Sequence, residues 1–165
     1  MAKVNAKVCL LSKPIDSSGV KFPPPLLYAA AVVGGYLLDR QWPLPFGRGL
    51  AWRLVASVCV ALWLGLMFGG LALFRRRRTS FIPNRPASTL VVEGPYRLTR
   101  NPMYLGMASL TVALAILLGS AWPAILLVPA LVLIRRLVID PEEAYLARRF
   151  GADYERYTRQ VRRWI

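Results

Sequence analysis

LVASVCVALWLGLMFGGLALF, residues 54–74, runs for 21 positions without a charged side chain, between Arg53 and Arg75. An apolar helix needs about 20 residues to cross roughly 30 Å of hydrocarbon, so the stretch predicts a membrane span over 53–74. Further along, the 34 residues between Arg100 and Arg135 are also uncharged. One helix of that length would measure roughly 50 Å at 1.5 Å per residue, too long for a single crossing. Gly119-Ser120, followed by Pro123, supplies a turn near the middle. The reading is therefore a helical hairpin with spans over 103–118 and 121–139, Arg135 and Arg136 snorkelling to the headgroups. Upstream, LLYAAAVVGGYLL (residues 26–38) lies between Pro23-Pro24-Pro25 and Asp39-Arg40. It predicts a short or tilted first span over about 25–39.

The charges test this count. In a four-span arrangement, segments 1–23, 75–101 and 135–165 share one side and hold 19 of the 22 Lys and Arg residues. The other side holds Arg40, Arg48 and Arg53. This is the positive-inside distribution with both termini cytoplasmic, whereas three spans would place the arginine-rich C-terminus outside. The formal net charge of +14 is thus a topology signature rather than a nucleic-acid footprint. The N-terminal arm, 1–23, contains all four lysines and shows neither a continuous h-region nor a small-residue cleavage site, so no cleaved signal peptide is expected. Residues 24–165 read as a single membrane domain. The fold class is all-α and integral membrane: four spans, a C-terminal helical hairpin, and a cytoplasmic amphipathic helix. Eighteen arginines to four lysines, with abundant Ala, Leu, Gly and Pro, suggest a GC-rich bacterial genome and hence a bacterial inner membrane.

Fifty-six per cent of the 165 residues are hydrophobic, and there is no histidine. Zinc-peptidase, bis-His haem, Ser-His-Asp and Cys-His chemistries each need an imidazole and fall together. Cys9 and Cys59 are too few for a disulfide framework or a Cys-rich metal site, and no metal is expected.

The chemistry-bearing residues crowd two cytoplasmic segments. The loop 75–102 begins with Arg75-Arg76-Arg77-Arg78, read as a topology signal lying against anionic lipid. An extended Thr89-Leu90-Val91-Val92 and a Gly94-Pro95 turn follow. Asn101 and Pro102 suit an N-cap and first helical position. Helix capping does not explain Tyr96, Arg100 and Tyr104 at the same mouth, and the Tyr104 hydroxyl, at hydrocarbon depth, needs a partner. The last segment, DPEEAYLARRFGADYERYTRQVRRWI from Asp140, reads as a helix over 141–164. Asp140 is its expected N-cap and Pro141 its N1 residue, with a possible break at Gly151. Apolar or aromatic residues at 146, 150, 154, 157, 161 and 164 form a helical stripe typical of an interfacial helix. Glu142 falls on that stripe. A carboxylate there needs a cation, either a ligand's or an arginine's, whereas Glu143, about 100° round, is expected to be solvated.

Leu90-Val91, Gly94-Pro95-Tyr96 and Arg100-Asn101-Pro102-x-Tyr104-x-Gly106 are followed, after a hydrophobic hairpin, by Glu142-Glu143-x-x-Leu146-x-x-x-Phe150-Gly151-x-x-Tyr154-x-x-Tyr157-x-x-x-Val161-x-Arg163. Together these residues resemble the isoprenylcysteine carboxyl methyltransferase family and, more widely, the phospholipid methyltransferase group, over roughly 79–165. The resemblance implies a membrane enzyme that uses S-adenosylmethionine without a Rossmann domain, in keeping with the lack of a G-x-G-x-x-G motif. It implies cofactor contacts at Leu90, Val91, Tyr96, Asn101, Pro102, Met103, Tyr104 and Glu142, with Arg100, Asn101 and Tyr104 at the reacting centre. Two positions depart from the eukaryotic pattern. Asn101 stands where histidine is usual, and Val138 stands where an arginine would meet a substrate carboxylate. The implied acceptor is a lipophilic small molecule or lipidated substrate, with membrane lipids as neighbours and no nucleic acid. Phospholipid ethanolamine N-methylation is the nearest rival within the class. A membrane NADPH-dependent reductase of the steroid-reductase type resembles the C-terminal part. A transporter would want an ionisable residue at mid-membrane, and 54–74 and 103–134 contain none.

Overall fold

The computed structural model describes residue 20, residues 23–77 and residues 89–165. Residues 1–19 and 21–22 of the lysine-containing arm and the arginine-and-proline stretch 78–88 lie outside the described residues. The described part is helical, with no strand: α1 (Pro24–Gln41), α2 (Leu50–Arg76), α3 (Pro102–Leu118), α4 (Trp122–Ile134), α5 (Asp140–Phe150) and α6 (Ala152–Gln160), with a 3-10 turn at Gly94–Arg97. A π-helical segment, Arg135–Ile139, joins α4 to α5 without a break.

Two helices are long and apolar enough to cross a membrane, Leu50–Arg76 and the continuous Trp122–Phe150; α3 is a shorter apolar helix. Leu54, Val58, Leu62 and Phe68 on α2, and Val128 and Val132 on α4, face away from the rest of the chain. Contiguous apolar surface on this scale suits lipid rather than water. The serine and threonine hydroxyls of α2 and α3 are satisfied, as hydrocarbon demands: Ser57 donates to the Arg53 carbonyl (3.0 Å), Ser109 to the Cys59 carbonyl on α2 (2.9 Å) and Thr111 to the Met107 carbonyl (3.0 Å).

α1 packs on α4 and α2 on α3, with α3 also touching α1 and α4. Tyr28, Ala108, Leu127, Ile134, Val138 and Ile139 form one buried cluster, and Ala56, Ala113 and Ile116 a second. At Gly35 an added Cβ would lie 2.5 Å from the Pro123 backbone nitrogen, so α1 meets α4 there backbone to backbone.

The α1–α2 loop and the Gly119 turn meet at one end. Pro45 bridges Ser120, the Phe46 amide donates to the Gly119 carbonyl (2.9 Å), and the Ala121 amide to the Leu44 carbonyl (2.9 Å). The Trp122 indole N–H donates to the Trp42 carbonyl (2.7 Å). The N-termini of α1 and α3, the C-termini of α2 and α4, and all of α5 and α6 therefore gather at the opposite end.

Two expectations change here. Asp140 does not start a helix. It continues one, and its amide donates to the Arg135 carbonyl in a π-type bond. Pro141 has no amide to offer and its ring crowds the preceding turn, so the widened turn lets the helix run on instead of ending. The helix expected over 141–164 stops at Gln160; it divides into α5 and α6 at Gly151 (φ 52°, ψ −124°), the break its glycine suggested, in a conformation that only glycine adopts without strain. Beyond Gln160 the chain is non-helical and turns back. Gly35→Ala should lower the thermal unfolding midpoint in detergent, by overpacking worth about 1–3 kcal/mol. Gly65→Ala, where a new Cβ meets nothing within 4 Å, should leave it nearly unchanged.

Candidate active site

Tyr104 lies in the first turn of α3 and Glu142 in the first turn of α5. Its hydroxyl donates to Glu142 Oε2 at 2.9 Å. Tyr28 of α1 donates in turn to the Tyr104 carbonyl at 2.8 Å, so the pair is fixed from three helices. Among the described residues Glu142 makes no ion pair. Its protein partner is a hydroxyl rather than the arginine that one reading expected.

Glu143 is not solvated. It receives Arg163 Nη2 on Oε2 (2.6 Å) and Arg163 Nε on Oε1 (3.2 Å), and Arg100 Nη1 lies 3.3 Å from Oε1. The Glu143 and Arg100 side chains are each 16% exposed, so water screens this cluster only partly. Arg163 also reaches Asp140 (3.0 Å), one turn before Glu143 on the same face of the helix. The bond to Glu143 raises the Arg163 pKa above its ordinary value, so the guanidinium stays charged.

The returning C-terminal tail closes the same cluster through its backbone. The Arg100 amide donates to the Arg162 carbonyl (3.0 Å), while the Thr99 hydroxyl (3.0 Å) and Asn101 Nδ2 (3.1 Å) both donate to the Arg163 carbonyl. Asn101 occupies the N-cap position of α3, yet its side chain makes no capping bond. The buried amide serves the tail instead. Arg100 Nε is buried and has no hydrogen-bond partner among the described residues.

α6 supplies the far wall. The Tyr157 hydroxyl donates to the Tyr96 carbonyl (2.7 Å), and burial raises its pKa above the usual phenol value, keeping the donor protonated. Burial, reinforced by the Glu143 charge and opposed by Arg100, pushes Tyr154 up to about 12. The Tyr96 ring stands edge-on to Phe74 of α2 at 5.7 Å between centroids. Beside it, Arg77 pairs with Glu93.

The model of the phospholipid methyltransferase family matches residues 52–153, from the start of α2 into α6. The chain belongs to the phospholipid methyltransferase family. It is thus a membrane protein of a methyltransferase family. An uncharacterized protein of Haemophilus influenzae is 35% identical over 65 residues, which are 38% of this chain and all of that protein. No solved structure matches.

The structure brings Tyr96, Arg100, Asn101, Tyr104 and Glu142 to one end of the helices. Val91 is buried and Leu90 half-buried in the segment leading to the 3-10 turn. Pro102 is fully buried at the start of α3, whereas Met103 packs against Gly70 of α2, on a different side from the Tyr104–Glu142 pair. Sequence reasoning missed Glu143, Thr99 and Arg163 as a unit. Their signal was present only in part: adjacent glutamates, and an arginine 20 residues on whose return path no periodicity encodes. Glu143→Gln should destabilise the protein by about 1–3 kcal/mol, because it strips a charged partner from two half-buried guanidiniums. Glu142→Gln, which can still accept from Tyr104, should change the thermal midpoint little.

Proposed function

We propose that this family member is a four-span, S-adenosylmethionine-dependent methyltransferase acting on a lipophilic or lipidated acceptor, of the isoprenylcysteine carboxyl methyltransferase kind. The observation that carries the reading is Glu142, a half-buried carboxylate held by the Tyr104 hydroxyl and left without a cation. Buried anions call for a counter-charge, and an amino-acid ammonium would supply one. The site end holds most of the basic residues, which supports a cytoplasmic active site with both termini on that side, in a bacterial inner membrane.

The residues present fit the cofactor. Glu142, aimed by Tyr104, would take the ammonium. Arg100, whose Nε has no hydrogen-bond partner among the described residues, would take the carboxylate. Tyr96 and Tyr104 offer aromatic faces to a sulfonium, and Leu90 and Val91 offer backbone groups. Pro102 and Met103 shape the first turn of α3, and Asn101 holds the tail that closes the site. S-adenosylmethionine supplies an electrophilic methyl group for in-line displacement, so the protein's share is chiefly positioning and electrostatics. An acceptor already anionic near neutral pH needs no general base, which suits a chain without histidine.

Phospholipid N-methylation is the second reading, favoured by the description of the matching family. It asks more of the site, because an ammonium acceptor must lose a proton and only Tyr104, Glu142 or water stands near to take it. S-adenosylhomocysteine should stabilise the detergent-purified protein whereas NADPH should not; the reverse result would favour a reductase and overturn the reading. Glu142→Gln should weaken S-adenosylhomocysteine binding roughly tenfold to a hundredfold, as expected on losing a charge-assisted contact in a half-buried site. Labelled methyl transfer to a prenylcysteine analogue, to phosphatidylethanolamine and to a bacterial lipid extract should give product with the first; product only with phosphatidylethanolamine would select the second reading.

A further inference from the structure

We infer that the membrane is thin where it meets α1 and α4: the exposed Arg135 and Arg136 hold phospholipid headgroups of the site-end leaflet about 10 Å closer to the bilayer mid-plane than along α2. This face of the molecule fits a phospholipid leaflet of short apolar thickness. The inference goes beyond the proposed chemistry and shares with it only the four-span arrangement.

Helix lengths carry it. The uncharged residues 54–74 of α2 measure about 32 Å at 1.5 Å per residue, close to the roughly 30 Å of ordinary hydrocarbon. α4 runs only from Trp122 to Ile134 before Arg135, which is 13 residues and about 20 Å. Its neighbour α1 is as short in apolar length, residues 26–38 between Pro25 and Asp39. Leu26, Val33, Leu37, Val128 and Val132 on these two helices are exposed, so the short side is a lipid-facing side. At the Gly119 end the short and long sides are level, tied by the bonds from Phe46 to Gly119 and from Ala121 to Leu44. The difference therefore falls at the site end. There Gly70 of α2 already meets Met103 in the first turn of α3, and α2 continues to Arg76, about 9 Å further. Tyr104, in that same turn of α3, packs against the cluster that contains Ile134 and Val138. Arg135 is thus level with the first turn of α3, and Arg75 stands well outside it.

A flat bilayer cannot meet both arginines. Tilting does not supply the missing length, because a tilted helix spans less, and snorkelling recovers only part of it. Neither Arg135 nor Arg136 pairs with a carboxylate among the described residues. Two such guanidiniums are costly in hydrocarbon, whereas a bilayer thins at a modest cost per ångström. The lipid gives way.

The test uses full-length chains with Cys9→Ser and Cys59→Ala in dioleoyl phosphatidylcholine vesicles, carrying a nitroxide label at Phe68→Cys or Leu137→Cys. The native side chains are 60% and 51% exposed and flank the first turn of α3 at similar height. Depth is read from relaxation by oxygen against relaxation by a water-soluble nickel chelate. The label at 137 should lie at headgroup level, about 10 Å shallower than the label at 68. Arg135→Leu with Arg136→Leu leaves residues 119–139 uncharged and should sink the 137 label by a similar distance, while Arg135→Lys with Arg136→Lys should keep it shallow. Equal depths for the two labels with the native arginines would overturn the inference, as would a 137 label that stays at headgroup level in the leucine variant. If the leucine variant does not fold, the comparison of 68 with 137 decides alone. Trp42→Cys and Leu137→Cys should react with an impermeant thiol reagent from opposite sides of right-side-out and inverted native vesicles. Reaction from the same side would remove the four-span arrangement and the inference with it, whereas opposite sides with equal depths would sink the inference alone.

Discussion

Glu143 is the charge on which the end of the molecule that carries α5 and α6 depends. Two guanidiniums reach it, one from the turn before α3 and one from the tail beyond α6. Three stretches distant in sequence, 99–101, 140–143 and 162–163, are brought together there. A half-buried ion cluster is a costly way to join segments, because each charge gives up water. The backbone offsets that cost: three donors from residues 99–101 meet two carbonyls of the tail, leaving few polar groups unsatisfied. The ions set the geometry and the neutral bonds hold it.

The two ends of the helices are built by different chemistry. At the Gly119 end the loops are joined by backbone bonds and an indole donor, with Arg40, Arg48 and Arg53 exposed. At the other end the links are ionic, aromatic and hydroxylic. Backbone ladders make a stable end, but they present no charge to a ligand. Among the described residues, the ionic end combines a carboxylate that has a hydroxyl partner but no ion pair with a buried, unpartnered guanidinium nitrogen, the two kinds of group an amino-acid ligand would engage.

Charge-free runs, a Gly-Ser turn and the distribution of arginines made the helices legible, because hydrocarbon leaves few alternatives for an uncharged stretch of 21 residues. Tyr104's need for a partner and Glu142's misfit on an apolar stripe were also legible, since each is a local conflict between residue type and depth. Three features were not. Asp140-Pro141 carries every mark of a helix start, yet the preceding helix ran on, because a π-turn absorbs the proline at a cost that no sequence pattern reports. Asn101 sits where a cap belongs, but the tail's carbonyl competed successfully for its amide. Glu143 reads as a solvated neighbour until the return of the tail is known, and that return depends on Trp164 packing against the buried cluster of Ile134 and Val138.

The cluster also constrains the acceptor on the proposed reading. Arg100 and Arg163 are largely committed to Glu143, and Val138 is fully buried in the apolar core, so this region offers no arginine from that position to a substrate carboxylate. Other guanidiniums at this end, those of Arg97, Arg135, Arg136 and Arg162, are exposed. An anionic acceptor would therefore meet its counter-charge at headgroup level, where exposed arginines remain wet and a lipid tail can still lie along apolar helix faces. A polar head attached to a long apolar tail satisfies both conditions, and a free water-soluble acid satisfies only one. Specificity on this reading arises from the depth at which the acceptor is presented as much as from any single recognition residue, which is how a site with few free charges can still select a lipid.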